Sequence, residues 1–190
     1  MKFILASASP QRWQLLSALG VPFEVIPSSV DEEACMEKDP RSRALLLASL
    51  KARDIAAKHT GRCVIGCDTL VVASDGTLLE KPINEDDARR MLSLQSGSTS
   101  LVHSGLSVIF PDGTESKDVS MSRVRFATIT PEVLDTWIAT KLWEGRSGAF
   151  QIDGRGQFLI EHLEGDWTSV VGLPMFLLGK VFRAAGVQFP

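Results

Sequence analysis

A continuous apolar run from Cys63 to Cys67 constrains the fold of this chain more than any other feature. A strand that is apolar at every position is typical of the centre of a sheet that is covered on both faces. Helices are therefore expected on each side of the sheet, and the sequence contains helix starts in which proline follows a capping residue. These starts are Ser9-Pro10, Asp39-Pro40 and Thr130-Pro131.

The chain also contains segments that are typical of antiparallel hairpins. A long hairpin is predicted from strands over Leu101 to Phe110 and Val119 to Ala127, and a short one from Val71 to Leu79. A further strand is predicted over Phe158 to Glu161. Helix-linked strands combined with hairpins predict an α/β fold with a mixed, elongated β-sheet flanked by helices. No repeat or low-complexity linker interrupts this pattern, so we expect a single domain over residues 1–190.

Charge and composition exclude several classes of protein. The 20 Lys+Arg residues against 23 Asp+Glu give a net charge of −3, which provides no basic surface for nucleic acid. No stretch approaches the ~18 apolar residues of a membrane span, and the apolar opening Phe3 to Ala6 is too short for an export signal. The three cysteines form no Cys-x-x-Cys motif and are expected to be reduced thiols. We therefore expect a protein of a reducing compartment that has neither nucleic acid nor membrane as a partner.

The first candidate site is the segment Ser7-Ala8-Ser9-Pro10-Gln11-Arg12, which links a short strand to a helix. Backbone N–H groups at the start of a helix are unpaired and carry partial positive charge, so they attract anions. The hydroxyls of Ser7 and Ser9 and the guanidinium of Arg12 would add donors for phosphate oxygens. The alternative is an ordinary Ser-Pro helix cap with Arg12 in solvent.

The second candidate is Asp68, which follows the apolar strand in Gly66-Cys67-Asp68-Thr69. Open α/β sheets bind ligands at the carboxyl ends of their strands. The carboxylate of Asp68 could therefore hold Mg²⁺ or orient a water molecule for attack. Alternatively, Asp68 begins the turn out of the strand and its side chain bonds to nearby backbone amides.

Isolated charges near turns form the third set of candidates. They are Asp31, Glu32, Lys51 and Lys81. Lys81 precedes Pro82, which holds it in extended backbone, so its ammonium group could reach a phosphate. The alternative for each of the four is a solvated surface charge, and the stem of Lys51 could simply cover apolar surface.

The fourth candidate is the segment from Gly145 to Gly156, which holds four glycines. Glycine allows the backbone to approach a ligand closely. Within this segment, Phe150 could stack on a base and Asp153 could read a base edge by hydrogen bonds. The alternative is a surface loop that is rich in turn residues.

Taken together, these segments resemble the Maf family of nucleoside triphosphate pyrophosphatases, which are relatives of the inosine triphosphatase group. The matching stretches are Leu5-Ala6-Ser7-Ala8-Ser9-Pro10 with Arg12, Val30-Asp31-Glu32, Leu50-Lys51-Ala52, Ile65-Gly66-Cys67-Asp68-Thr69, Glu80-Lys81-Pro82, Glu164-Gly165-Asp166-Trp167 and Val170-Val171-Gly172-Leu173-Pro174. The resemblance implies an inosine triphosphatase-like fold of two lobes with the site in a cleft. It also implies that a cytoplasmic homodimer splits a nucleoside triphosphate into monophosphate and pyrophosphate with the help of a metal ion.

The resemblance also implies roles for individual residues. Asp68 matches the catalytic acidic residue of the family, and Glu32 and Asp68 would bind Mg²⁺ or Mn²⁺, which prefer carboxylate oxygen. Whether Asp68 acts as base or as metal ligand stays open. The residues expected to bind the substrate are Ser7, Ser9, Arg12, Lys51 and Lys81. Their positive potential would compensate the charge of a triphosphate.

Three positions bear on the choice of base. Gln11 stands where many members have Arg, and Asp153 stands where the dTTP- and UTP-hydrolysing branch has Gln. Thr69 matches that branch, whereas the branch associated with 7-methyl-GTP has Gln there and an acidic residue near the position of Asp153. An ionised Asp153 only accepts hydrogen bonds, so it suits guanine, which presents two donors, better than thymine or uracil. The residues therefore predict a guanine-type or modified purine.

The alternative function is a non-catalytic nucleotide-binding regulator of cell division, since the family name derives from a septum-formation phenotype. The presence of Glu32, Asp68 and Lys81 favours an enzyme, because a sensor needs no hydrolytic carboxylate.

Overall fold

This computed structural model describes residues 1–187, which contain seven strands and six α-helices. The strands are β1 (Phe3–Leu5), β2 (Phe23–Val25), β3 (Cys63–Val72), β4 (Leu78–Leu79), β5 (Thr99–Ile109), β6 (Glu115–Phe126) and β7 (Ile160–Glu164). The helices are α1 (Pro10–Ser17), α2 (Pro40–Ala56), α3 (Glu85–Gln95), α4 (Pro131–Ala139), α5 (Trp167–Val171) and α6 (Met175–Ala184). Two 3₁₀ segments, Ser147–Ala149 and Gly154–Leu159, lie between α4 and β7.

The seven strands form one mixed sheet in the order β2-β1-β3-β5-β6-β7, with β4 paired to β3. β1 runs parallel to both of its neighbours, so that Phe3 lies opposite Phe23 on one side and Cys63 on the other. β4 pairs antiparallel with β3, and β7 pairs antiparallel with β6. The predicted α/β fold with a mixed sheet flanked by helices is therefore confirmed.

The predicted helix starts are confirmed at their capping residues. The side chains of Ser9, Asp39 and Thr130 each accept a hydrogen bond from a backbone N–H of the first helical turn. Asn84 caps α3 in the same way, because its Oδ1 accepts from the N–H of Asp87 at 2.9 Å. These contacts satisfy N–H groups that have no partner within the helix.

Both faces of the central strands are covered, as the apolar run predicts. On one face, Leu5 and Ile65 belong to a core that includes Phe182 of α6. On the other face, Ile4 and Val64 pack with the apolar side chains of α2. The burial of both faces removes apolar surface from water, which stabilises the fold by about 25 cal/mol per Å² of apolar area.

Several strand boundaries differ from the prediction, and β6 begins at Glu115 instead of Val119. β3 continues to Val72, so Asp68 lies within the strand instead of at its end. A charged residue is tolerated inside this buried strand because a lysine neutralises it, as described below. The strand predicted from Phe158 begins at Ile160, since Gly154–Leu159 forms a 3₁₀ segment that starts at a glycine with φ +57°.

The chain divides into two compact units. Among the described residues, the first contains Met1–Thr69, Ser104–Ser120 and 168–187, and the second contains Leu70–His103 and Met121–Trp167. Strands β3, β5 and β6 each pass from one unit into the other. The single domain over residues 1–190 stays a prediction.

Candidate active site

Three charged side chains meet in the first unit. Lys51, on α2, donates from Nζ to Oδ1 of Asp68 on β3 at 2.6 Å, and the same Nζ lies 2.9 Å from Oε1 of Glu32. The side chains of Lys51 and Asp68 are 7% and 5% exposed, whereas that of Glu32 is 43% exposed. Two carboxylates share one ammonium group, so the cluster carries a net negative charge. The surface-charge alternative for Lys51 is therefore wrong.

The position of Lys51 depends on a close approach of α2 to β3. A side chain at Gly66 would collide with the backbone carbonyl of Ala48 and with Ala52, both on α2. Residues two apart on a strand face the same side, so Asp68 points to the face that α2 covers. The absence of a side chain at Gly66 thus lets the helix come near enough for Lys51 to reach Asp68.

One oxygen of Asp68 differs from the other in its surroundings. Oδ1 accepts from Lys51, whereas Oδ2 is buried and has no hydrogen-bond partner within residues 1–187. Buried polar atoms in proteins nearly always have a partner. An unpartnered, buried carboxylate oxygen therefore marks Asp68 as the residue of this unit most suited to a ligand or a reacting group.

Arg12 joins the start of α1 to two other segments of the first unit. Its Nε donates to the carbonyl of Gly172 at 2.8 Å, and its terminal nitrogens donate to Oγ of Ser7 at 3.1 Å and to Oγ1 of Thr69 at 3.4 Å. Gly172 has φ +131°, and a Cβ there would lie 3.4 Å from Nε of Arg12. The structure thus brings together Ser7, Arg12 and Thr69 through the guanidinium of Arg12, and the alternative of Arg12 in solvent is wrong.

The remaining residues of the predicted helix start bind one another. The backbone N–H of Ser9 donates to Oγ of Ser7 at 3.2 Å, and Oγ of Ser9 donates to Oε1 of Gln11 at 3.2 Å. Oγ of Ser9 also accepts from the backbone N–H of Arg12 at 3.5 Å, which makes it the cap of α1. Gln11 is 9% exposed, so its amide faces the protein and orders the hydroxyl of Ser9.

Sequence reasoning missed two serines that extend the network of Arg12. Oγ1 of Thr69 lies 3.1 Å from Oγ of Ser104, which in turn donates to the carbonyl of Ser169 at 2.6 Å. Because a hydroxyl has one proton and that of Ser104 goes to Ser169, Ser104 can only accept from Thr69, whose own proton also has the carbonyl of Gly172 within 3.4 Å. No local signal distinguishes Ser104 from the other serines of β5, whereas Ser169 directly precedes the stretch that contains Gly172.

Lys81 and Asp153 belong to the second unit. Lys81 is exposed, and Asp153 is half-buried with its backbone carbonyl accepting from Nε2 of Gln151 at 3.2 Å. Phe150 is 5% exposed, and its ring packs edge-on against Phe126 with 4.9 Å between the ring centroids. The prediction that Phe150 stacks on a base is therefore wrong, because packing in the core occupies the ring.

The three cysteines are free thiols, as predicted. Burial raises the pKa of Cys63 to about 12 and that of Cys67 to about 11. For Cys67, the positive charges of Arg12 and Lys51 oppose this rise. Because the thiolate is the nucleophile and the metal ligand, neither buried cysteine is suited to either role near neutral pH.

Residues 1–187 contain no group of three or more His, Cys, Asp and Glu side chains that could hold a metal ion. None of the helices described has both the length and the apolar character that a membrane span requires.

The fold defines a class of protein. The Staphylococcus aureus Ham1 protein is similar to this chain with a TM-score of 0.56, over 97% of this chain and 100% of that one, at 12% sequence identity. At this identity the likeness concerns the fold alone. The chain therefore has a Ham1-like α/β fold.

The sequence defines the family within that class. A family model described as Maf-like protein matches residues 2–185, and the chain belongs to this family. The dTTP/UTP pyrophosphatase of Moorella thermoacetica is 40% identical over 188 residues, which are 98% of this chain and 96% of that protein. The dTTP/UTP pyrophosphatase of Deinococcus radiodurans is 42% identical over 187 residues, which are 98% and 94% of the two chains. The resemblance to the Maf family is thus confirmed.

Proposed function

We propose that this chain is a nucleoside triphosphate pyrophosphatase, which hydrolyses a nucleoside triphosphate to the monophosphate and pyrophosphate. The buried pair of Lys51 and Asp68, with Glu32 on the same ammonium group and an unpartnered Oδ2 on Asp68, carries the proposal. Membership of the Maf-like family and the names of the two relatives support it.

The first unit has donors for the phosphates. Of the five N–H groups of Arg12, three donate to acceptors within residues 1–187, which leaves one N–H on each terminal nitrogen for phosphate oxygens. One terminal nitrogen binds Ser7, just before the start of α1, where the helix dipole adds positive potential, and the other binds Thr69. Lys81 would supply a further positive charge for the triphosphate, whereas the charge of Lys51 is already offset by Asp68 and Glu32.

The proposed reaction exchanges one bond at the α-phosphorus. The oxygen of a water molecule bonds to this phosphorus and loses a proton, while the bond to the bridging oxygen of pyrophosphate breaks and pyrophosphate leaves with the electron pair. As the base, Asp68 would receive the proton at Oδ2, because Oδ1 is engaged by Lys51, and as a metal ligand it would offer this same oxygen, so Oδ2 can serve only one of the two roles at a time. Lys51 thereby also fixes the orientation of the carboxylate.

The residues present fit a divalent metal ion. Glu32 and Asp68 supply carboxylate oxygens, their cluster has excess negative charge, and Oδ2 of Asp68 needs a partner. Mg²⁺ is usually held by one or two carboxylates together with substrate phosphates, so a site with fewer than three acidic protein ligands is sufficient. When bound, Mg²⁺ or Mn²⁺ would make the α-phosphorus more electrophilic.

Asp153 is proposed to set the base preference, and two observations favour different bases. The relatives are named for dTTP and UTP, whereas a lone acceptor suits guanine. Burial lowers the pKa of Arg146 and the charge of Asp153 opposes this effect, so the two side chains interact electrostatically. A donor beside an acceptor matches O4 and N3–H of thymine or uracil as well as O6 and N1–H of guanine.

The decisive test is the release of pyrophosphate by wild type and Asp68→Asn. We expect wild type to release pyrophosphate, and no single phosphate, in the presence of Mg²⁺ or Mn²⁺ and to lose activity with a chelator. Asp68→Asn should lose at least about a hundredfold in kcat, whereas Asp86→Asn, at an exposed position of α3, should keep the wild-type rate. Unchanged activity in Asp68→Asn contradicts its assignment. Nucleotide binding without turnover across a full panel would favour the regulator of cell division.

The base is tested with dTTP, UTP, GTP and 7-methyl-GTP, comparing wild type with Asp153→Gln. A shift of Asp153→Gln towards dTTP or UTP supports the role of Asp153 in base choice. If the four nucleotides rank in the same order of kcat/KM for Asp153→Gln as for wild type, Asp153 has no role in base choice, whichever base wild type prefers.

The homodimer and the cytoplasmic location are proposed from the family alone. Light scattering of the purified full chain would give twice the monomer mass for the dimer. Fractionation of the source cells would test the location.

A further inference from the structure

Two consecutive buried residues of the second unit have left-handed backbone. Gly148 has φ +73° and Ala149 has φ +60°, and Ala149 is fully buried. Glycine adopts this conformation freely, whereas the Cβ of alanine makes it unfavourable. A strained residue of this kind persists only where its surroundings hold it, and such residues cluster at functional sites.

Side chains from two helices hold this backbone pair. Nε2 of Gln95, at the end of α3, donates to the carbonyl of Gly148 at 2.7 Å. Nε1 of Trp137, on α4, donates to the carbonyl of Ala149 at 3.0 Å. The backbone N–H of Gly148 donates to the carbonyl of Glu80 at 3.1 Å, which ties the loop to the segment after β4. Gln95 and Trp137 are 0% and 4% exposed, so water cannot replace either donor.

The amide of Gln95 has one orientation only. Besides its bond to Gly148, Nε2 donates to the carbonyl of Met91 at 3.1 Å, and Oε1 accepts from Oγ of Ser100 at 3.3 Å. A flipped amide would set its oxygen against two carbonyl oxygens. The side-chain amide of Gln95 is therefore held in the one orientation in which Nε2 donates to the carbonyl of Gly148.

The two segments that this contact joins carry proposed substrate-binding residues. Lys81 directly follows Glu80, and Asp153 lies four residues after Ala149. Both segments depend on the same buried backbone pair, because Glu80 binds the N–H of Gly148 and the chain towards Asp153 leaves from Ala149. A change in the backbone of this pair would move both.

We propose that Gln95 and Trp137 are positioning residues, which hold Lys81 and Asp153 in place for the phosphates and the base. The proposal rests on the proposed function. It goes beyond that function because neither residue touches the substrate and each acts through the Gly148–Ala149 backbone.

A matched pair of tryptophans separates positioning from a purely structural role. Trp143 is also buried, at 8% exposed, and its Nε1 donates to the carbonyl of Ile138 in α4 at 3.0 Å. Trp137→Phe and Trp143→Phe thus remove the same indole donor, although the carbonyl of Ile138 keeps the backbone N–H of Lys141 as a donor at 3.1 Å. Only Trp137→Phe releases the strained loop.

The measurements are kcat and KM for dTTP and GTP, together with the melting temperature of each variant. Both variants should melt at lower temperatures than wild type, and Trp143→Phe should lose less, because the carbonyl of Ile138 keeps one donor. Trp137→Phe should lose about tenfold or more in kcat/KM, mainly through KM, with a changed ratio between the two nucleotides, because misplaced binding groups have effects of this size. Trp143→Phe should stay within about twofold of wild type, since its lost bond ties Trp143 to the end of α4 and not to the Gly148–Ala149 backbone. Equal kinetics for the two variants overturns the proposal.

A second variant and a binding assay keep the inference testable if Trp137→Phe does not fold or wild type does not turn over. Gln95→Met removes the donor to Gly148 and should show the kinetic changes of Trp137→Phe.

If wild type releases no pyrophosphate, the proposed function fails, and the Kd of a non-hydrolysable nucleoside triphosphate replaces the kinetics. Weaker binding by Trp137→Phe and Gln95→Met than by Trp143→Phe then supports positioning. Equal Kd values, or no binding by wild type, overturn it.

Discussion

Lys51 and Asp68 are 17 residues apart in the chain, yet Nζ of Lys51 donates to Oδ1 of Asp68 at 2.6 Å in a pair that is almost fully buried. Removing one partner of a buried pair leaves a charge without compensation. The pair therefore joins α2 to β3 and makes the stability of the first unit depend on a contact that also belongs to the candidate active site.

Replacing Lys51 by Met should lower the free energy of unfolding by about 3–5 kcal/mol, because Asp68 would keep a buried, uncompensated charge. Urea unfolding measures the loss. The double variant Lys51→Met with Asp68→Asn should lose less than the sum of the single variants, since the pair interacts directly. Lys58→Met, which breaks an exposed pair with Asp54, should cost less than about 1 kcal/mol. A loss in the double variant that equals the sum of the losses in Lys51→Met and Asp68→Asn would contradict a direct interaction between the two residues.

Replacing Gly66 by Ala should lower the free energy of unfolding by about 1–3 kcal/mol or more, because the new methyl group meets the backbone of α2. Gly179→Ala is the control, since Gly179 lies inside α6 and its nearest neighbour is the flexible end of Arg183. It should raise the free energy of unfolding by about 0.5–1 kcal/mol through helix propensity. Chemical denaturation of both variants checks the opposite signs, and a neutral Gly66→Ala would exclude the close approach of α2.

Glu115 should make the first unit less stable in acid. Burial raises the pKa of this carboxyl group, but hydrogen bonds from Ser49, Arg53 and Ser107 and the charge of Arg53 together lower it below its usual value of 4.5. A carboxyl group whose pKa is lowered by folding stabilises the protein above its unfolded pKa, and this contribution is lost as the pH falls through the folded pKa.

Glu115→Gln should therefore be less stable than wild type at pH 7 by about 1–3 kcal/mol, the cost of weakened bonds to a buried group. The difference should shrink as the pH falls below about 4.5. Urea midpoints of wild type and variant over this range measure it. A difference that is constant with pH would exclude Glu115 as its source.

One cysteine should react in the native protein. Burial raises the pKa of Cys63 and Cys67, so both hold neutral thiols out of contact with reagent, whereas Cys35 is partly exposed. A disulfide reagent at pH 8 should therefore modify one thiol rapidly in native wild type and three in denaturant. Cys35→Ser should abolish the rapid reaction, and its persistence would show that a buried cysteine is accessible.

The helix starts could be predicted because their signals are local. Ser9, Asp39 and Thr130 each bind an N–H three residues further along the chain, so the contact is contained in the sequence pattern itself. The apolar strand at 63–67 could be predicted for a similar reason, since its composition alone requires cover on both faces.

The candidate residues were predictable, but their contacts were not. Glu32, Lys51 and Asp68 stand in recognisable motifs, yet the sequence by itself also allows a solvated surface charge at Lys51, and only the structure places it beside Asp68. The glycine-rich segment around Phe150 suggests stacking on a base, whereas packing on Phe126 decides the actual role of the ring. Ser104 carries no signal at all, because its importance comes only from lying between Thr69 and Ser169.

The sequence by itself thus determined the order of the strands and of the helices other than α5, the capped helix starts and the motifs that identify the family. Only the tertiary structure decided which charges are buried, which serine binds Thr69 and why Ala149 keeps a left-handed backbone. The physical reason is distance along the chain: Arg12 binds the carbonyl of a residue 160 positions away, and Lys51 binds Asp68 only where Gly66 lets a helix approach a strand. Such contacts depend on how separate elements pack, and no local pattern of residues contains that information.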